Sequence, residues 1–195
     1  MRRIRRRLCA SLLGAVSLVA TLAGCSSPDP VLYTIAPAAG TVQVAGPPIV
    51  LLDRIEIPRY LDRSQIVQSS ADYRIDVKSN DWWGEPVSPM LRRILRQELT
   101  QRLPRSTVLS ESGAVSATPD ATIDLDLQRL DQDASGNVVL EAEASLTLKG
   151  RKQPILRSFR FSVPSTQRTS AGEVAAISAA VGQLADGLAA MLAGR

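Results

Sequence analysis

The sequence predicts an α+β fold, a single domain in which two amphipathic helices pack on one face of a mixed, mostly antiparallel sheet. Three observations predict it. Segments with strand-like alternation of apolar and polar residues come in two groups, a segment with helical spacing of apolar residues follows each group, and the second group contains three alternating segments joined by turns. The 171 residues after position 24 are enough to bury the core of one domain without disulfides.

The first 24 residues have the composition of a secretory signal peptide. Residues 1–7 are cationic, residues 8–22 are apolar, and residues 22–25 read Leu-Ala-Gly-Cys, which is similar to a bacterial lipobox. A transmembrane helix or an ordinary signal peptide is the alternative. However, an apolar run of about 15 residues is shorter than the ~20 residues that cross a bilayer, and the chain becomes polar directly after Cys25. We therefore expect cleavage before Cys25 and attachment of a lipid to its thiol.

The charge of the chain changes when these 24 residues are removed. Five of the 23 Lys and Arg residues precede Cys25 and all 19 Asp and Glu residues follow it, so the remaining net charge is 18 minus 19, or −1. The basic character of the full sequence therefore gives no reason to expect a nucleic-acid partner. The chain has no histidine, and its other cysteine, Cys9, is removed with the signal. These absences exclude a Ser-His-Asp triad, a Cys-His pair and a histidine metal site, and we expect no cofactor.

Residues 25–48 follow as a lipidated cysteine and a segment rich in Pro, Ala, Gly and Ser, which predicts a tether. Residues 31–35 interrupt it with the β-branched and aromatic bias of a short strand. We place the main domain at residues 49–195, and the short strand implies that the fold begins close to the membrane surface.

The first group of strands begins with residues 49–57, a continuous apolar run that ends in alternation, as is typical of a strand near the middle of a sheet. Residues 65–68 and 72–78 are two further strands. The turn residues at 69–72 predict that these two form a hairpin.

The first helix is predicted over residues 89–103, after a loop at residues 79–86 and with Ser88 as its N-cap. Its apolar residues recur at helical spacing along one stripe. The basic residues outside that stripe predict a solvated face rather than a patch for anionic lipids. They are Arg92, Arg93, Arg96 and Arg102.

The second group begins with a brief strand at residues 106–109, and three long alternating segments follow at 121–131, 137–149 and 155–163. Turn-forming residues join the three, so we expect an antiparallel meander. From Thr169 the chain becomes rich in alanine, with apolar residues at intervals of three or four, which predicts a second helix.

Four carboxylates are predicted to lie on one side of the first hairpin in this meander. We favour a solvent-exposed face, because no nucleophile, glycine-rich loop or metal-ligand spacing accompanies them. A weak cation site, or acid–base catalysis by an envelope hydrolase, is the alternative. The four are Asp124, Asp126, Glu141 and Glu143.

Trp82 and Trp83 are the two tryptophans of the chain, and they fall in the loop predicted before the first helix. Tryptophan in a loop often fills a core, and it is also enriched where proteins contact partners or membrane interfaces. Both interpretations stay open here, with one ring packing beneath the helix and the other available to a partner.

Four short segments, in order along nearly the whole chain after the signal, carry a family resemblance. They are the lipobox, Tyr-Thr-Ile at residues 33–35, Ile-Glu-Ile-Pro-Arg-Tyr-Leu-Asp-Arg-Ser-Gln-Ile-Val at residues 55–67, and Trp-Gly-Glu-Pro at residues 83–86 before an Arg-rich helix. Together they resemble the ABC-type transport auxiliary lipoproteins, the group that includes PqiC.

The resemblance implies a non-enzymatic periplasmic subunit, anchored to the outer membrane, that works with an MCE-domain protein and an ABC transporter or membrane permease in moving lipids between membranes. Ser26 after the modified cysteine agrees with outer-membrane sorting. The sequence has no Walker motif and no segment similar to an MCE domain, so the implied role is to dock the partners' tunnel to the outer membrane. A periplasmic carrier with its own apolar lipid cavity is the alternative. The transported molecule and the oligomeric state stay open.

The site residues follow from the same segments. Cys25 is the predicted lipid attachment site. The candidate partner interface takes its members from the two most specific segments: Tyr60, Leu61, Asp62, Arg63, Trp82, Trp83 and Glu85.

Overall fold

Eight strands and two helices are formed by the residues that the computed structural model describes, 28–69, 74–111 and 117–194. Cys25, the predicted signal peptide and most of the turn predicted at residues 69–72 lie outside these residues. In chain order the elements are β1 Val31–Tyr33, β2 Ile49–Glu56, β3 Gln65–Ser69, β4 Asp76–Trp83, α1 Val87–Arg102, β5 Thr107–Ser110, β6 Ala121–Gln132, β7 Asn137–Leu148, β8 Ile155–Pro164 and α2 Ser170–Leu192.

Strand β6 organises the sheet. Its first half lies parallel to β2, and its last residue, Gln132, pairs with β3. Its other edge is antiparallel to β7, which is antiparallel to β8 in turn. Strand β5 extends the sheet beyond β2, while β4 and then β1 extend it beyond β3. The fold is therefore α+β with a mixed sheet, and both the meander and the β3–β4 pairing that the sequence predicts are confirmed.

The core lies between this sheet and the helices. Along β6, alternate residues such as Ile123, Leu125 and Leu127 are buried, while Asp126 and Gln128 on the opposite face are exposed. Helix α1 packs on β2 and β5, α2 packs on β7 and β8, and the two helices contact each other. Alternation of period two thus selects the face that the sheet buries.

Helix α1 begins two residues before the predicted start. Val87 is its first residue and Pro86 occupies the N-cap position, which makes no side-chain capping hydrogen bond. The predicted N-cap, Ser88, instead donates its hydroxyl to the carbonyl oxygen of Ile55 at 3.1 Å. The capping prediction was wrong because this hydroxyl joins the helix to the end of β2.

Strand β4 continues well beyond the predicted strand end at residue 78. It includes both Trp82 and Trp83, so the prediction that they lie in a loop was wrong. Backbone pairing on both edges explains the extension, since Trp82 lies opposite Gln65 of β3 and opposite Leu32 of β1. The register between β3 and β4 shifts between these pairs, and such bulges are not visible as alternation in a sequence.

Helix α2 is the longer helix and is N-capped by Thr169, whose hydroxyl oxygen accepts the backbone N–H of Gly172 at 3.1 Å. By length and composition it could cross a membrane, but it is largely buried in the fold and packs as a core helix. A Cβ at Gly187 would lie 2.5 Å from Cε1 of Phe159 on β8. The absence of a side chain at Gly187 therefore lets α2 approach the sheet closely.

Residues 34–46, which we call the strap, connect β1 toward β2 across the two helices. Ile35 is buried, the backbone N–H of Thr41 donates to Asp186 Oδ1 of α2 at 2.9 Å, and that of Gln43 donates to the Arg102 carbonyl of α1 at 2.7 Å. This part of the predicted tether therefore packs on the domain. The small residues of the strap allow close contacts with the helices. A composition rich in Pro, Ala, Gly and Ser is therefore compatible with this packing as well as with a linker.

Candidate functional site

The structure brings together the two sequence segments that supply the candidate interface. The loop after β2 contains Tyr60 to Arg63, and the end of β4 contains Trp82 and Trp83. The backbone N–H of Trp83 donates to the Ser64 carbonyl at 2.7 Å, directly after Arg63. Residues that are about 20 positions apart thus occupy one region of the surface, at the point where β3 and β4 pair.

Three members of the candidate interface point inward. Leu61 is buried, and Trp83 packs against the hydrophobic core. Tyr60 is half-buried and donates its hydroxyl to Asp131 Oδ2 at 2.9 Å. Burial and the neighbouring Asp131 carboxylate raise the pKa of the Tyr60 hydroxyl far above its ordinary value. These side chains fix the loop to the domain.

The other members are accessible. Asp62 and Arg63 are exposed, and Arg63 folds back to donate from Nε to the Tyr60 carbonyl at 2.9 Å. Glu85 forms an ion pair with Arg93 on α1. Trp82 is half-buried and donates its indole N–H to the Ser79 carbonyl at 3.1 Å. A partner could therefore contact Asp62, Arg63, Trp82 and Glu85 without unfolding the loop.

Two of the four carboxylates predicted on the meander form ion pairs with arginines. Arg54 on β2 pairs with Asp124 at 3.1 Å, and Arg160 on β8 pairs with Glu141 at 3.0 Å. A depression of about 440 Å³ runs over this face and is lined by Asp124, Asp126 and Glu143 among others. Within the described ranges, no group of three or more Cys, Asp or Glu side chains is placed to hold a metal ion. The arrangement is that of a solvated, charge-paired face.

A comparison with known families identifies the family of this chain. The family described as the ABC-type transport auxiliary lipoprotein component matches residues 31–189, which is most of the sequence and nearly all of the described domain. The chain belongs to this family. No curated protein matches the sequence.

Two solved structures have a fold similar to that of this auxiliary lipoprotein. The crystal structure of an uncharacterised protein superposes with a TM-score of 0.69 at 19% identity, covering 84% of this chain and 99% of the other. The crystal structure of a Xanthomonas campestris protein of the DUF330 family gives a TM-score of 0.69 at 19% identity, covering 83% and 94% of the respective chains. At this identity the similarity establishes the fold alone.

The auxiliary lipoprotein also has a buried charge on β6 that the sequence analysis missed. Asp131 is fully buried, and its Oδ1 accepts the Nε–H of Arg129 at 2.9 Å while Oδ2 accepts the Tyr60 hydroxyl. A register shift between Leu127 and Arg129 turns the strand here, so the alternation that holds earlier in β6 fails. Leu130 and Asp131 are both buried after this shift, so an alternation of period two gives no reliable signal for the burial of Asp131.

The prediction for Arg102, at the end of α1, was wrong. This residue was predicted on a solvated face, yet it is fully buried. Its guanidinium donates to Asp186 Oδ1 at 2.8 Å, to the Ala38 carbonyl at 3.1 Å and to the Gly182 carbonyl at 3.0 Å. The helical stripe was read correctly, but α2 and the strap cover this second side of α1, which no local pattern shows.

Glu98, one turn before Arg102, is buried in the same place. Its Oε1 accepts the backbone N–H of Ala38 at 2.7 Å. Burial is the main cause that raises the pKa of the Glu98 carboxyl, while the N–H of Ala38 and the charge of Arg102 oppose it. The strap is therefore held by two charged side chains of α1 and by Asp186 of α2.

Glu173 in the first turn of α2 is the third buried carboxylate that the sequence did not reveal, after Asp131 and Glu98. Its side chain is 1% exposed and its Oε2 lies 3.1 Å from Lys78 Nζ on β4. Burial raises the pKa of the Glu173 carboxyl to about 6, although the Lys78 ammonium opposes this shift. Lys78 also donates to the Ser170 hydroxyl at 3.0 Å, so it connects β4 to the start of α2.

Proposed function

We propose that this protein is a non-enzymatic lipoprotein subunit on the periplasmic face of the outer membrane, where it docks an MCE/ABC-type lipid transport system to that membrane. Membership of the auxiliary lipoprotein family carries the proposal. The energy source and the tunnel would belong to the MCE protein and to the ABC transporter or permease, because the sequence has no nucleotide-binding motif of its own.

The anchor in this proposal is Cys25. Residues 1–24 would be removed as a signal peptide, and the thiol of Cys25 would carry a diacylglycerol, with residues 25–48 leading into the domain. Two acyl chains hold a protein stably on a bilayer, whereas one chain binds marginally. Ser26 supports the outer membrane as the destination.

The partner surface in this proposal is the accessible part of the candidate interface. Asp62 and Arg63 present opposite charges on a loop that Tyr60 and Leu61 hold in place. A fixed loop loses little conformational entropy when it binds, which favours its use in a permanent complex. Glu85 lies with Trp82 at the adjoining end of β4 and α1.

The geometry gives less support to the two other functions. A hydrolase would need a nucleophile or an acid–base pair in a shielded site, whereas Asp124 and Glu141 are each paired with an arginine on an open face. A lipid carrier would need an apolar cavity. Of the cavities lined by described residues, one of about 440 Å³ and one of about 430 Å³ are both lined chiefly by charged and polar side chains.

Affinity purification tests the docking role. The full-length tagged protein is expressed in its native host, membranes are solubilised in mild detergent, and copurified proteins are identified by mass spectrometry. We expect an MCE-domain protein and transporter components, and expect the recovery to fall in a variant that combines Asp62→Ala with Arg63→Ala. Loss of two exposed charges costs the fold little, so the variant should remain folded.

The matched control for this experiment combines Arg151→Ala with Lys152→Ala, which removes two exposed charges from the turn between β7 and β8. This control should recover partners as the unmodified chain does. Recovery of no MCE or transporter component with the unmodified chain, in membranes where those proteins are detected, would contradict the proposed function.

A further inference from the structure

Strand β1 presents apolar side chains to solvent at one end of the sheet. Val31 is 49% exposed and Leu32 is 63% exposed. Leu32 lies in register with Trp82 of β4, and Tyr33 with Trp83. Neighbouring residues in register share a face of the sheet, so Leu32 and Trp82 share one face, opposite to the face on which Trp83 packs against the core. We call Leu32 and Trp82 the β1 edge.

The covalent path from Cys25 keeps this edge near any lipid on that residue. Three peptide units separate Cys25 from Pro28, which limits the distance between their Cα atoms to about 11 Å. Residues 28–30 are exposed, and the Asn80 side chain of β4 donates to the Asp29 carbonyl at 3.2 Å. The chain therefore runs along β4 from the start of the described residues, beside Trp82.

We propose that the β1 edge rests on the surface of the bilayer that holds the Cys25 lipid, with Leu32 and Trp82 in the interfacial layer. This inference depends on the lipid attachment in the proposed function. Tryptophan favours the membrane interface, because its ring is apolar and its N–H is polar, and exposed aliphatic side chains beside it add apolar contact. The lipid surface is the occupant that the short connection to Cys25 necessarily brings close.

Because the tether would already hold the domain at the membrane, a weak contact between the β1 edge and the bilayer is sufficient to orient the domain. Two or three side chains do not hold a soluble domain on a membrane, but a second contact within an already anchored molecule forms at a high effective concentration. The edge would therefore set the orientation of the domain rather than its affinity for the membrane. Such an orientation would place the end of the sheet that carries β8, where Leu156 is 74% exposed, away from the attachment point of the lipid.

Fluorescence quenching on vesicles tests the orientation without dependence on cellular lipidation. The chain from Cys25 onward has a single thiol, which can be coupled to a maleimide phospholipid in vesicles of phosphatidylethanolamine and phosphatidylglycerol that contain brominated acyl chains. Trp83→Phe leaves Trp82 as the only tryptophan, and Trp82→Phe leaves Trp83. We expect quenching of Trp82 to be several-fold stronger than quenching of the adjacent, core-packed Trp83.

Two further variants distinguish contact of the β1 edge with the bilayer from mere proximity to it. Leu32→Ser in the Trp82-only chain should reduce the quenching. Leu156→Ser, at a β8 leucine that is 74% exposed against 63% for Leu32, should leave it unchanged. Equal quenching of the two tryptophans, or quenching that Leu32→Ser does not alter, would overturn the proposal and leave the edge for a protein partner. A failure here with normal recovery of transporter components in the affinity purification would leave the docking function standing, since each result rests on a separate measurement.

Discussion

The guanidinium Nε of Arg102 donates to Asp186 Oδ1 at 2.8 Å, and this ion pair joins the buried Arg102 at the end of α1 to the partly exposed Asp186 in the second half of α2. The same carboxylate oxygen accepts the backbone N–H of Thr41 in the strap. Three segments that are far apart in the sequence therefore meet at one charged group. Since the strap follows directly after β1, this ion pair connects the helix layer to the part of the chain nearest the proposed anchor.

Arg102→Ala is expected to destabilise the fold by about 3 kcal/mol, because it removes the guanidinium donor from the backbone carbonyls of Ala38 and Glu98 and the positive charge near the buried Glu98 carboxylate. Urea unfolding followed by circular dichroism measures the change. Arg96→Ala on the exposed side of the same helix is the control and should change the unfolding free energy by less than about 0.5 kcal/mol. Similar values for both variants would show that Arg102 contributes no more than a surface charge.

Tyr60→Phe should destabilise the domain by about 1–3 kcal/mol, because the buried Asp131 carboxylate loses a hydrogen bond that water cannot replace. Equilibrium unfolding of the single variants and of the pair Tyr60→Phe with Asp131→Ala gives a double-mutant cycle. The hydroxyl should contribute little once Asp131 is removed. Additive effects of the two substitutions would contradict a direct bond between these groups.

The raised pKa of Glu173 predicts how the free energy of unfolding depends on pH. Its pKa in the folded protein is raised from an ordinary 4.5 to about 6. Between these values the folded state binds more protons than the unfolded state, so the contribution of Glu173 to stability decreases as the pH rises through this window. The full decrease is about 2 kcal/mol, from a shift of about 1.5 units. The groups that face it are Lys78, Asp81 and Asp131.

Glu173→Gln tests this dependence, because the amide cannot ionise. Unfolding free energies of both chains are measured from about pH 4 to about pH 7, and their difference isolates residue 173 from all other carboxylates. Relative to the variant, the unmodified chain should lose about 2 kcal/mol over this range. A difference that stays constant with pH would show that Glu173 does not titrate there.

Cys25→Ser should leave the chain in the soluble periplasm or unprocessed, because in the proposed function the Cys25 lipid is the contact that holds the domain stably on the membrane. Cell fractionation with immunoblotting measures the distribution, and the mass of the intact protein reports the diacylglycerol directly. Ser27→Ala, two residues further on, is the control and should fractionate as the unmodified chain does. Retention of Cys25→Ser in the outer membrane would mean that protein contacts, and not the lipid, hold the domain.

Much of the fold could be predicted because alternation and helical spacing are local properties. The meander of β6, β7 and β8 follows from apolar residues at every second position with turn residues between the segments. Helix α2 was predicted from Thr169, which does cap it. The predictions were wrong where a residue makes a tertiary contact instead of the local one that its sequence context indicates. Ser88 donates a hydrogen bond to β2 instead of capping α1, and Trp82 lies in a strand through its pairing with β1.

The candidate site was predicted only in part, for a related reason. The segments around Tyr60 and Trp82 could be selected from the sequence, and the pairing of β3 with β4 brings them together. The sequence could not show that Tyr60, Leu61 and Trp83 face inward while Asp62 and Arg63 face outward. A side chain in an irregular loop has no period, so its direction depends on the partner that tertiary packing supplies, here Asp131 for Tyr60.

The sequence by itself determined the α+β fold class, the elements of the meander and the family, because apolar period and short motifs are properties of neighbouring residues. Only the tertiary structure decided where the charges lie. Arg102, Asp131 and Glu173 are polar in any composition count, yet each is buried against a partner from a distant segment, which for Asp131 is Tyr60. A charge can be buried only where such a partner lowers its cost of leaving water, and that partner is specified by the assembled fold.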